Sequence, residues 1–93
     1  MEDNHTTKEI HAQIMAAYQL LPENVIESDD GFRKDDFLEY ISSGNLLMAM
    51  EELDGVILDN PSPSKIFWTH LINAAEMMGH NHRYRYESIR GAT

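Results

Sequence analysis

Ninety-three residues, 42% hydrophobic and 25% charged, are enough for one domain with one core and too few for two. No cysteine is present, which excludes a disulfide framework, a thiol nucleophile and any cysteine-held zinc or iron–sulfur centre. The net charge of −9 is uneven: residues 1–60 carry 14 acidic and 3 basic side chains (net −11), residues 61–93 carry 2 and 4 (net +2), so the first two-thirds repels nucleic acid and anionic lipid and attracts basic proteins.

Thr6-Thr7-Lys8-Glu9 has the form of a capping box and predicts a first helix over about 6–21. Ile10, Ile14, Ala17 and Leu21 recur at helical steps along it, and Pro22 ends it. Val25-Ile26 tucks a connector against the core, and Ser28-Asp29-Asp30-Gly31 is dense in turn formers. A second helix is expected over about 33–43, with Asp30, Asp35 or Asp36 as its cap and Phe37, Tyr40 and Ile41 on its buried side.

Gly44 fits the left-handed position just past that helix, and Asn45 caps a third over about 45–58. Leu46, Ala49, Met50, Leu53 and Ile57 share one face, while Glu51, Glu52 and Asp54 are expected to point outward. Gly55 weakens the last turn. Ser62 and Pro63 predict the start of a fourth helix, over 63–78, that Gly79 stops. Phe67, Leu71, Ala74 and Met78 make one apolar stripe on it; Trp68, Ile72 and Ala75 make the next. A helix so widely apolar belongs at the centre of the fold. The alternation in Arg83-Tyr84-Arg85-Tyr86 suits an extended segment, while Tyr84, Glu87 and Ser88 could also begin or continue a short helix; residues 80–93 are expected to be a partly ordered tail. The expected fold is all-α: a small antiparallel four-helix bundle with short connections, forming a single helical domain over 1–93.

Reactive constellations are scarce. His80-Asn81-His82, with His5 or His11, offers three imidazoles for zinc or nickel. On a helix, however, residues two apart diverge by about 200°, and Arg83 and Arg85 beside them oppose a cation, so exposed tail histidines are expected. His70 lacks a carboxylate at helical spacing and reads as a satisfied, semi-buried side chain. The adjacent acids Asp29-Asp30, Asp35-Asp36 and Glu51-Glu52 point apart and make poor acid–base pairs. "ESDDGFRKDDF" lacks the ligand spacing of an EF-hand, and no phosphate loop, nucleophile elbow or dinucleotide fingerprint is visible. Arg83, Arg85 and Arg90 with Tyr84 and Tyr86 resemble a base-stacking segment, but the acidic balance favours their folding back on the chain's own acidic helices. The expectation is a protein that is not an enzyme, with no cofactor, no metal and no nucleic-acid partner. The acidic amino end resembles neither a signal nor a transit peptide, and no apolar run approaches the roughly 20 residues of a membrane span, so a cytoplasmic location is expected.

The stretch "FLEYISSGNLLMAMEELDGVILDNPSPSKIFWTHLINAAEMMG", Phe37 to Gly79, sets a helix, a glycine turn, an Ala-Met-Glu-Glu-Leu helix, a proline-bearing break and a Phe-Trp helix in a row. This order resembles small helical immunity proteins, the antidotes of bacterial polymorphic-toxin and contact-dependent-inhibition systems. The resemblance covers less than half of the chain, and the Tyr-Tyr-Pro element of nuclease-colicin immunity proteins is missing, so no binding residues carry over from them. It implies tight binding to a cognate toxin, expected to be a basic toxin domain because toxins that cut nucleic acid tend to be basic. The candidate binding residues are Asp29, Asp30, Asp35, Asp36, Glu51, Glu52 and Asp54, with Tyr40 and Tyr84 as aromatic anchors. The competing expectation is a small helical regulatory or assembly module that forms a homodimer through the apolar surface of the fourth helix.

Overall fold

The computed structural model describes residues 2–93, with side chains from His5 onward. Among the described residues five α-helices follow one another: α1 Glu2–Gln19, α2 Lys34–Ser42, α3 Leu46–Asp54, α4 Lys65–Met77 and α5 His82–Ala92. A 3-10 turn, Gly55–Leu58, extends α3. Among the described residues no strand forms, so the all-helical reading holds. No described helix is long and apolar enough to cross a membrane.

The apolar period of α4 dictates the architecture. Its two stripes are buried, Phe67, Trp68, Leu71, Ala74 and Ala75 completely, Ile72 nearly so, and Met78 in part. Two neighbours do this, α1 on one side and α5 on the other, while α2 pairs with α3, and α3 also meets α1. Ile10, Ile14 and Ala17 of α1 and Ala49, Met50 and Leu53 of α3 complete a single core cluster. Aromatic rings are distributed through it: Tyr18 stacks on Phe37 at 4.5 Å between centroids, and Trp68 lies edge-on to Phe67 at 4.9 Å. Such pairs add about 0.5–1.5 kcal/mol beyond their buried area.

Several helix boundaries differ from expectation. α1 already runs through Thr6 and Thr7, which stand exposed within it, so the capping box marks no start. α2 has Arg33 at its cap position with no side-chain cap, in place of Asp30, Asp35 or Asp36. Its free amides are satisfied from elsewhere: Arg33 N–H donates to Glu52 Oε2 at 2.7 Å and Lys34 N–H to Glu27 Oε1 at 3.1 Å. Asp35 and Asp36 occupy the first turn instead, where the helix dipole favours negative charge. α4 starts two residues later than expected, because Ser64 rather than Ser62 accepts from Phe67 N–H. Ser62 Oγ accepts the indole N–H of Trp68 at 2.9 Å instead.

The largest correction is α5. The segment expected as a partly ordered tail is a helix whose Tyr86 is fully buried against Trp68, with ring centroids 5.7 Å apart. Phe32, in the turn-rich connector, is also a core residue, 1% exposed. Two glycines do adopt the left-handed backbone expected past a helix end, Gly44 at φ 77° and Gly79 at φ 65°.

Candidate protein-binding site

The turn Ser28-Asp29-Asp30-Gly31 closes on itself, Gly31 N–H donating to Ser28 Oγ at 2.9 Å, while Ser28 O–H donates to Asp59 Oδ2 at 2.5 Å. The turn then lies directly on the junction of α3 and the 3-10 turn. A Cβ on Gly55 would stand 3.1 Å from the Gly31 carbonyl carbon, and a Cβ on Gly31 would stand 3.1 Å from the Gly55 oxygen. Both glycines are there because two backbones touch; a weakened last turn, the sequence reading of Gly55, is secondary. Asn60 fixes the same connector from the other end, accepting from Ile26 N–H at 2.8 Å and donating to Ile26 C=O at 2.9 Å.

Between this turn and α3 lies a groove of about 370 Å³ into which Asp29, Asp30, Glu51, Glu52 and Asp54 converge. Met48, 38% exposed, and Leu58, 65% exposed, add apolar contact surface at its lining. Among the described residues that line the groove, Arg85 of α5 is the one basic side chain, paired to Asp54 at 2.8 Å.

These acids are not equivalent. Asp29 is solvent-facing and meets Arg33 at 2.5 Å, an exposed pair of little energetic weight. Burial raises the Glu52 carboxyl above its ordinary range, opposed by the bond from Arg33 N–H. Asp54, expected to point outward, is only 12% exposed beneath α5. Burial raises its carboxyl, while the bond from the Tyr86 hydroxyl and the charge of Arg85 act against that rise. Burial, then the Asp54 charge, drives the Tyr86 phenol far above its ordinary range.

The remaining candidates do not join this groove. Asp35 is exposed and Asp36 faces Arg33 at 3.7 Å on the α2 side. Tyr40 is half-buried against the core. Tyr84 is 59% exposed on a different surface, lying with Arg83 over its ring, 4.6 Å from the centroid. As expected of a segment folding back on the chain, Arg83 pairs with Glu76 at 3.1 Å and Arg85 with Asp54. His70 is satisfied and half-buried, its Nδ1 2.8 Å from Gln13 Oε1.

His80 and His82 are not exposed tail residues. Both are half-buried, their rings 4.0 Å apart, and His82 Nε2 lies 2.7 Å from Glu51 Oε2. The helical divergence of two-apart residues does not apply, since His80 precedes α5 in the turn that Gly79 creates.

The groove combines negative charge from two distant chain segments with two accessible apolar side chains, a combination complementary in charge and polarity to a basic surface around an apolar anchor. Comparison with known proteins returns no match among protein-family models, curated proteins or solved structures.

Proposed function

We propose that the protein is a non-enzymatic binding protein, an immunity-type antidote that neutralises a basic bacterial toxin domain by seating part of it in the acidic groove. The observation that carries this reading is the convergence of Asp29 and Asp30 with Glu51, Glu52 and Asp54 around one cavity beside exposed Met48 and Leu58. Complementary fields speed capture of a basic partner, and desolvated anchors at the centre hold it. Met48 and Leu58 are the anchors; Asp29 and Asp30, the most accessible acids, steer the encounter. The frame is an antiparallel bundle of α1 to α4 with α5 added, and the protein acts in the cytoplasm of the cell that makes the toxin.

The homodimer reading has less support, because the apolar stripes of α4 that it requires are covered by α1 and α5 within the chain, with Trp68 0% exposed. The test is co-expression with the product of the neighbouring gene. The reading expects the pair to co-purify as a heterodimer and the chain to relieve the partner's toxicity. A chain that relieves no toxicity, binds nothing basic and purifies as an obligate dimer would sink it.

A further inference from the structure

We propose that Glu51, His80 and His82 form a three-ligand site for a divalent transition ion, Zn2+ by the nature of the donors, which fastens the start of α5 to α3. This inference stands independently of the partner reading. One ligand atom from each of the three residues lies within 4.8 Å of the other two. Bond lengths near 2.0–2.2 Å place the donors of a tetrahedral zinc ion about 3.4 Å apart. Three half-buried side chains therefore need to move by about 1 Å or so to close on one ion.

The local chain geometry favours this convergence. Gly79, at φ 65°, turns the chain out of α4 so that His80 stands beside the first residue of α5. The His80 Nδ1 lone pair is engaged only by the backbone N–H of His82, at a long 3.2 Å. His82 Nε2 already points at the Glu51 carboxylate, 2.7 Å away. Uptake of an ion replaces that hydrogen bond, and the proton between the two atoms leaves to solvent. Neighbouring cations do not oppose the ion, since Arg83 is held by Glu76 and Arg85 by Asp54.

Two imidazoles and one carboxylate select against Ca2+ and Mg2+, which take oxygen donors, and suit zinc. Water completes the tetrahedron as the fourth ligand; of the three residues, only His80 borders the hollow of about 320 Å³ shared with Glu76 and Arg83. Because Glu51 also lines the acidic groove, a bound ion removes one negative charge from its wall. Bridging residues 31 positions apart, the ion ties α5 down one turn before Tyr86, the residue that anchors it to the core.

The experiment is calorimetric titration of ZnCl2 into untagged, chelator-treated protein, with thermal unfolding followed in parallel by circular dichroism. The expected result is one Zn2+ per chain in the micromolar range or tighter and a higher unfolding midpoint, both reversed by chelator. His80→Ala, His82→Ala and Glu51→Gln should each weaken binding by at least about tenfold, the lower end of what loss of a mere orienting partner costs. A His5→Ala/His11→Ala double variant should bind like the parent. Should His82→Ala fail to fold, the His80 and Glu51 variants decide. The proposal is overturned by no binding at micromolar zinc, by binding that survives the site variants, or by binding that the His5/His11 variant abolishes.

Discussion

The hydroxyl of Tyr86 donates to Asp54 Oδ2 at 2.5 Å, joining the fully buried ring of α5 to a carboxylate at the end of α3. Arg85 reaches the other oxygen, Oδ1, at 2.8 Å. One acid thus holds α5 in place from two sides. Tyr86→Phe keeps the ring and removes only the donor, leaving a buried carboxylate short of a partner. It should destabilise the chain by about 1.5–3 kcal/mol in urea unfolding, the range for hydrogen bonds to charged groups.

The same acid gives stability a pH dependence of defined sign. Burial raises the folded-state value of Asp54 above its ordinary 3.8, so between the two values, and only there, the folded chain holds more of a proton than the unfolded chain. This contribution is fully present below the ordinary value and disappears as pH rises through the raised folded one. Asp54→Asn removes the titration and keeps an acceptor for Tyr86. Relative to the parent, the variant should therefore gain stability as pH rises above 3.8. Urea midpoints measured across the acid range check this, and a parallel pH response in both proteins would refute it.

Trp68 and Ser62 separate burial from hydrogen bonding. Trp68→Ala empties the centre of the core and should cost about 3–5 kcal/mol, enough to unfold a domain of this size. Ser62 is exposed, so water replaces its oxygen, and Ser62→Ala should cost about 1 kcal/mol or less. Chemical denaturation of both variants distinguishes the two magnitudes.

Gly55 packs against the Gly31 backbone, whereas nothing lies within 4 Å of a Cβ placed on Gly91. Gly55→Val should force the 28–32 turn away from α3 and cost about 1–3 kcal/mol as overpacking. Gly91→Ala, in a helix with open space around it, should be neutral or stabilising by up to about 1 kcal/mol. Equal effects from the two would show that the turn does not need this close approach.

Legibility followed periodicity. Trp68 and Phe67 were readable as core because two stripes repeat through α4, and Gly44 and Asn45 were readable because turn and cap chemistry is local. Asp54 was misread as outward-facing because its cover, α5, was misread first. In that helix the alternation of Arg83-Tyr84-Arg85-Tyr86 masks the steps of four and three from His82 to Tyr86 to Ile89, which would have identified a helical face. Phe32 stands alone among turn formers, and an isolated apolar residue has no period to report. In the groove, Asp29 and Asp30 were candidates on charge alone. Their meeting with Glu51 and Glu52 depends on the backbone contact of Gly31 with Gly55, a tertiary fact that neither segment carries by itself.

In the proposed function the groove, rather than the total charge, recognises a basic protein. Three immobilised forms test it in one affinity isolation from the native cell at low ionic strength: the parent chain, Asp29→Lys/Asp30→Lys in the groove, and Asp35→Lys/Glu39→Lys on the exposed side of α2. The two variants change net charge equally, and all four positions are exposed. The account predicts one basic partner retained by the parent and by the α2 variant, lost from the groove variant, and eluted by salt. Retention by all three forms, equal loss from both variants, or no basic partner on the parent chain would contradict it.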